Sequence, residues 1–277
     1  GGRWTQRLRA AWTTTDTENS NEFGANGSTA ADKYGAHYQS TWQFTQRTAD
    51  STGNSVTLAL DREHQEFSQA GVASPFGDPN QDQDLDNTAA VVELLLSPFE
   101  RTSLSLSGRY DDNSDFDDVG TFRATTAWTA EGAGTRLHAS FGTGQKAPTF
   151  IERFGFFPDQ FIGNPDLGMS ALQNFDLRVD YRPFEDSLIS ASWFYKDLDD
   201  PIEYVQRVQS FTYTTPVNYP EGELNGLEFE VRQGLERLPA LRRAAPGSDE
   251  LGHERRRAPE ARFEARDLPL AQAPLGP

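Results

Sequence analysis

Between Tyr34 and Thr45 the chain alternates strictly. One parity reads Tyr34, Ala36, Tyr38, Ser40, Trp42, Phe44, and the other Gly35, His37, Gln39, Thr41, Gln43, Thr45. Successive side chains in a strand point to opposite faces, so one face is aromatic and apolar and the other polar throughout. The pattern recurs. Leu104, Leu106 and Tyr110 oppose Ser105, Ser107, Arg109 and Asp111, and Phe122, Ala124 and Trp128 oppose Arg123, Thr125 and Thr129. Leu137, Ala139 and Phe141 oppose Arg136, His138 and Ser140, and Phe175, Leu177, Val179 and Tyr181 oppose Asp176, Arg178, Asp180 and Arg182. The polar parity carries full charges, which a water-filled lumen accommodates. The aromatics fall near segment ends, where the interfaces of a bilayer lie.

The periodicity predicts about ten strands, at 4–12, 34–46, 55–67, 87–96, 103–111, 120–129, 135–143, 174–182, 188–208 and 211–232. Links after odd-numbered strands are long (13–33, 68–86, 112–119, 144–173), and links after even-numbered ones are short (47–54, 97–102, 130–134, 183–187). Long connections therefore gather on one side and short ones on the other, as in an outer-membrane barrel. The link after the ninth strand breaks this rule. Asp50-Ser-Thr-Gly-Asn54, Ser97-Pro98 and Glu131-Gly-Ala-Gly134 carry the turn residues such short links need. The predicted fold class is all-β: an antiparallel transmembrane β-barrel, incomplete at about ten strands.

Composition narrows the function classes. Of 277 residues, 36% are hydrophobic and 12% aromatic, and no stretch approaches the length of a membrane helix. The absence of Cys removes disulfides and thiolate metal sites. A net charge of −17 argues against nucleic acid as a partner. The opening Gly1-Gly2-Arg3-Trp4 reads as a start within a longer polypeptide, without a signal peptide. Alternation stops at the end. Residues 233–277 hold six Pro, eight Arg and one aromatic, Phe263, and are expected to form a low-complexity tail, disordered or weakly helical, distinct from the barrel at 1–232. Its eight Arg face seven acidic residues, so no anionic partner is assigned to it. Both an out-of-frame origin and a natural low-complexity extension fit that composition.

Five short motifs carry a family resemblance. Phe141-Gly-Thr-Gly-Gln-Lys-Ala-Pro-Thr-Phe150 resembles the Gly-Thr-Gly-Phe-Lys-Ala-Pro-Thr stretch of TonB-dependent outer-membrane receptors, with Gln145 in the aromatic's place. Gly163-Asn-Pro-Asp-Leu167 resembles the motif that follows it, with Gly168-Met169-Ser170 where the family has Lys-Pro-Glu. Trp193-Phe-Tyr-Lys-Asp197 with Pro201-Ile-Glu-Tyr204, then Asn218, Gly226 and Glu228, and Arg109-Tyr-Asp111 with Ser114-Asp-Phe116 match further family patterns, over roughly residues 90–232. The group resembled is that of vitamin B12 (cobalamin) and siderophore receptors.

That resemblance implies a place in the Gram-negative outer membrane, in contact with its lipid. It implies a non-enzymatic role in energised uptake of a small metal chelate, cobalamin or a ferric siderophore. The energy comes from the TonB complex acting through a plug domain, and neither the plug nor the barrel's closing strand is expected in this chain. Ligand-contacting positions are expected at Lys146, Phe150, Phe157 and Asn164. No resident cofactor is expected, although Asp82-x-Asp84-x-Asp86 with Glu93 echoes a calcium loop and, with Asp78, forms a candidate calcium set in an extracellular loop. Asn87 stands where such a loop has Gly, and a solvated acidic loop is the competing reading. The carboxylates Asp111, Asp112, Asp115, Asp117 and Asp118 read as solvation and turn formation. Three other functional classes stand beside the receptor: a passive porin-like channel, a soluble β-sandwich binding module, and an outer-membrane hydrolase using His138 and Ser140. A receptor fragment without function is a fourth alternative.

Overall fold

The computed structural model describes residues 3–22, 24–48, 51–73, 77–132, 134–157, 160–208, 212–234 and 263–264. Its strands are β1 (Arg3–Asn21), β2 (Gly24–Gln43), β3 (Ser55–Gly71), β4 (Gln81–Leu96), β5 (Thr102–Asn113), β6 (Val119–Thr129) and β7 (Thr135–Lys146). A short helix α1 (Phe150–Phe154) follows, then β8 (Phe156–Phe157), β9 (Phe161–Ile162), β10 (Ser170–Tyr181), β11 (Ser187–Asp199), β12 (Ile202–Val208), β13 (Thr212–Asn218), β14 (Glu221–Gln233) and β15 (Phe263–Glu264). The strands form two sheets, a wall ordered β1-β2-β3-β4-β5-β6-β7-β10-β11-β14-β15 and a small sheet ordered β12-β13-β9-β8.

Register carries the alternation across the whole wall. A single line of paired residues runs Trp4, Trp42, Val56, Leu94, Leu106, Ala124, Phe141, Phe175, Tyr195, Asn225. Its neighbours on the same face include Leu8, Trp12, Tyr38, Leu58, Leu60, Leu227 and Phe229, all exposed. An apolar surface this wide is untenable in water and is the natural surface of a barrel in lipid. Among the described residues no helix is long and apolar enough to cross a membrane. The line also climbs. Trp42 lies one residue from the end of β2, whereas Asn225 lies eight residues from the end of β14. A climb of seven residues over eight strand steps, at about 3.3 Å per residue and 4.8 Å per step, tilts the strands by roughly 30°, close to the inclination of a barrel.

The inner face is polar and internally paired. Arg109 donates from Nη1 to Asp61 Oδ2 at 2.6 Å and from Nη2 to Asp111 Oδ1 at 2.8 Å, and His37 completes the group through Asp61. Further round, Arg178 Nε donates to Asp180 Oδ1 at 2.6 Å, Ser190 donates to the same oxygen at 2.7 Å, and His138 lies 3.3 Å from Asp180 Oδ2. The short turns brace one another: Ser97 N–H donates to Asn54 Oδ1 at 2.7 Å, and Thr52 N–H donates to Ser97 Oγ at 3.1 Å. Gly134 has φ 59°, and a Cβ there would stand 2.3 Å from the Arg182 carbonyl, so that turn admits only glycine.

The structure bears out the incomplete antiparallel barrel and its ten main strands, and corrects several boundaries. The stretch 13–33, expected as a loop, instead continues β1 and β2 as a hairpin whose arms pair in register as far as Asn21 and Gly24. The link 68–86 shrinks to 72–80. The ninth and tenth predicted strands each split in two: β11 and β14 belong to the wall, and β12 and β13 form a separate hairpin between them. The link from β11 to β14 is therefore 200–220, and it leaves from the same end of the wall as the other long links. The apparent exception to loop sorting disappears. Of the expected tail, only residues 233–234 and 263–264 are described. Phe263 and Glu264 pair with Val231 and Glu230 of β14, and the rest lies outside the described residues.

Candidate functional site

At the long-loop end of the wall, the segment after β7 folds inward over the lumen. Pro148 ends the strand, and Thr149 caps α1. Thr149 Oγ1 accepts from the Glu152 N–H at 3.2 Å, and Glu152 Oε2 accepts from the Thr149 N–H at 2.7 Å, a reciprocal capping box. Glu152 is only 5% exposed and does more than cap. Its Oε1 accepts from Lys146 Nζ at 3.2 Å and from the Tyr204 hydroxyl of β12 at 3.0 Å. Burial pushes the Glu152 carboxyl up, but the hydrogen bonds from Thr149, Tyr204 and Lys146 outweigh burial and hold it below its ordinary value. Burial, and then the bond to Glu152, push the Tyr204 hydroxyl up.

The wall holds this segment from the other side. Gln69 and Gln81, register partners on the inner face of β3 and β4, reach the backbone of 154–156. Gln69 Nε2 donates to the Phe156 carbonyl at 2.8 Å, the Phe156 N–H donates to Gln69 Oε1 at 3.1 Å, and Gln81 Nε2 donates to the Phe154 carbonyl. Phe67 stacks on Phe150 with centroids 5.6 Å apart and planes 8° apart. Arg153 donates to Asp115 Oδ2 at 2.7 Å, with its guanidinium 4.8 Å from the Phe116 ring centroid and 4.6 Å from that of Phe154. The hairpin β12–β13 closes the arrangement. Thr214 N–H donates to the Gln160 carbonyl at 2.8 Å, and Gly168 N–H donates to Asn218 Oδ1 at 2.9 Å. Gly168 and Ser170, where the chain departs from the family motif, are thus absorbed locally, Ser170 Oγ donating to the Asp200 carbonyl at 2.9 Å.

All four predicted ligand positions fall in this one folded unit, with different fates. Lys146 is exposed and pairs with Glu152, and Phe150 packs on Phe67. Phe157 continues an aromatic row, 6.3 Å from Phe161, which is itself 6.3 Å from Tyr204. Asn164 organises the loop: its Nδ2 donates to the Pro216 carbonyl at 3.1 Å, and its Oδ1 accepts from the Asp166 N–H at 3.1 Å. Glu152, Arg153, Gln69 and Gln81 escaped the sequence reading, and Tyr204 enters it only as part of a family motif. The Thr149-x-x-Glu152 spacing just after Pro148 is a legible helix-start signal, whereas nothing local marks the two glutamines.

The structure spreads the candidate calcium residues over two faces of one strand and the turn before it. Asp82, Asp84 and Asp86 lie in strand β4, not a loop, on the same parity as the outward Ala90 and Val92. Glu93 has the opposite parity and faces inward, and alternate strand residues stand about 6.7 Å apart. Asp78 is engaged by Asn80, whose backbone N–H at 3.0 Å and side chain at 2.6 Å hold its carboxyl below the ordinary range. Among the described residues no group of three His or acidic side chains is placed to hold a metal ion. The hydrolase pair does not form either. His138 reaches Asp180, and Ser140 donates to Asp176 at 2.9 Å, so the imidazole and the hydroxyl are each engaged by a separate carboxylate.

The family model "TonB dependent receptor-like, beta-barrel" matches residues 1–247. Among solved structures, the siderophore receptor PirA from Pseudomonas aeruginosa aligns with TM-score 0.59 at 15% identity, covering 84% of this chain and 48% of that one. A variant of the ferric enterobactin receptor PfeA from Pseudomonas aeruginosa aligns with TM-score 0.63 at 14% identity, covering 84% and 39%. The copper transporter OprC aligns with TM-score 0.62 at 15% identity, covering 84% and 41%. The chain spans less than half the length of these proteins. Matched over nearly its whole wall, and built as that wall requires, the chain belongs to the TonB-dependent receptor β-barrel family, a family of receptors and transporters, not enzymes, of the Gram-negative outer membrane.

Proposed function

We propose that this chain supplies wall and extracellular mouth to a receptor that takes up a metal chelate, energised by the TonB complex acting through the receptor's plug. The observation that carries this reading is the inward-folded segment 147–169, anchored to β3 and β4 by Gln69 and Gln81. A passive pore is served by an unobstructed mouth; a receptor needs a structured surface there. The mouth offers an aromatic row at Phe157, Phe161 and Tyr204 beside Lys146, a surface suited to a flat, partly apolar ligand. The compared proteins include receptors for siderophores and a copper transporter, which favours a ferric siderophore as cargo, with cobalamin as the alternative chelate.

The test is uptake of radiolabelled ferric siderophores and cobalamin by the native strain, with the locus deleted and then restored. Saturable uptake of one chelate, lost on deletion and abolished by a protonophore, is the expected result. Uptake that rises linearly with concentration and ignores the protonophore would make the protein a passive channel. Unchanged uptake of every chelate would end the receptor reading.

A further inference from the structure

The links after β3, β5, β7 and β11 leave the long-loop end of the wall, with described residues within 72–80, 114–118, 147–169 and 200–220. Each of the other three reaches the segment that contains α1. From 72–80, Gly77 packs beneath Phe156 so closely that a Cβ would stand 2.5 Å from the ring. From 114–118, Asp115 and Phe116 hold the two sides of the Arg153 guanidinium, which is 15% exposed. From 200–220, Tyr204 binds Glu152, and the Pro216 carbonyl accepts from Asn164.

α1 itself has five residues. A helix that short has no stability of its own, because nucleation outweighs the few hydrogen bonds it makes. It persists through its links, and two of these, to Asp115 and to Tyr204, exist only where the helix holds Arg153 and Glu152 in place. Contacts that depend on one another in this way form and break together.

We propose that α1 is a keystone coupling 114–118 and 200–208 to its own segment as one cooperative roof, so that the lumen's mouth opens as a unit, with Arg153 the positioning residue that joins 114–118 to it. Arg suits the role because its planar guanidinium pairs with a carboxylate and stacks on rings at once, which a Lys ammonium does not. The functional weight of this inference rests on the receptor reading above, but its physical content does not.

The experiment is hydrogen exchange, read by mass spectrometry, on the complete receptor in outer-membrane vesicles without added chelate. Arg153→Ala is expected to speed exchange about tenfold at 147–157, 114–118 and 200–208 together, leaving β3 to β6 at the original rate. Arg153→Lys should restore part of that protection, and Asp166→Ala, a change at an exposed position of the same loop, should alter nothing. Acceleration confined to 147–157 overturns the proposal. Should Arg153→Ala also unprotect the wall, Glu152→Gln, which keeps the side chain's shape, decides: coupled acceleration at 114–118 and 200–208 supports the keystone, and local acceleration sinks it. Lost coupling with intact chelate uptake removes this inference alone; intact coupling without uptake removes the receptor reading alone.

Discussion

Gln69 exchanges two hydrogen bonds with the backbone of Phe156, a residue 87 positions further along the chain. A side-chain amide carries one donor group and one acceptor, and here they engage the carbonyl and the N–H of the same residue. Gln69 is itself buried, at 5% exposure, so neither partner has water to fall back on.

Replacing Gln69 by Ala therefore leaves an N–H and a carbonyl unpaired, at a cost of about 2–4 kcal/mol for the two. The expected outcome is local. Segment 147–169 becomes cleavable by protease in intact cells, while the heat-modifiable gel shift of the barrel stays unchanged. Gln43→Ala, on the same face of the neighbouring strand β2 and at the short-turn end of the wall, is the control and should leave cleavage as it was.

Leu60 points outward near the middle of the apolar band, paired in register with Tyr38 and Ala90. Leu60→Arg should impair membrane assembly, since Arg on the lipid face near the midplane costs about 2–4 kcal/mol. Thr57→Arg points inward beside Glu93 and should assemble normally. Folded barrel recovered from outer membranes measures the difference; equal recovery of the two variants would contradict the assignment of faces.

Gly226 and Phe194 form a cross-strand pair on the inner face of β14 and β11. A Cβ at Gly226 would stand 2.6 Å from the Phe194 ring. Gly226→Val should thus destabilise the wall by about 1–3 kcal/mol through overpacking. The combination with Phe194→Ala should recover much of that loss, because the clash then has no second partner. A double-mutant cycle in urea reads the coupling, and additive effects would show that the two do not collide.

Acid should loosen the roof. Glu152 is held below its ordinary value in the fold. A lowered folded value means that its contribution is present above the ordinary glutamate range, near pH 4.3, and is lost as pH falls through the lower folded value. Proteolysis of 147–169 should rise as pH drops below that range, and Glu152→Gln should remove the dependence. Tyr204, whose folded value is raised, sets the opposite limit: its contribution is present below the ordinary tyrosine range and lost as pH climbs above it.

Much of the wall was legible because strand alternation is local. Trp42, Tyr38 and Tyr34 declare their face by their own spacing, whatever they pair with. Where both faces meet water, that signal vanishes. The stretch 13–33 is Thr-, Asp- and Asn-rich on both parities and read as a loop, although it continues β1 and β2 as a hairpin. The split of β11 from β12 was hidden for a different reason. Asp199, Asp200 and Pro201 interrupt an otherwise continuous strand pattern, and only pairing shows that β11 joins β14 while β12 joins β13.

By itself, then, the chain's order of apolar and polar residues determined the ten-strand wall, its two faces and the side on which its long connections lie, because each follows from neighbours two residues apart. Only the tertiary structure decided the roof. The amides of Gln69 and Gln81, the carboxylate of Glu152 and the guanidinium of Arg153 look like ordinary polar residues until the curvature of the wall brings them to partners that the chain itself holds far away in sequence.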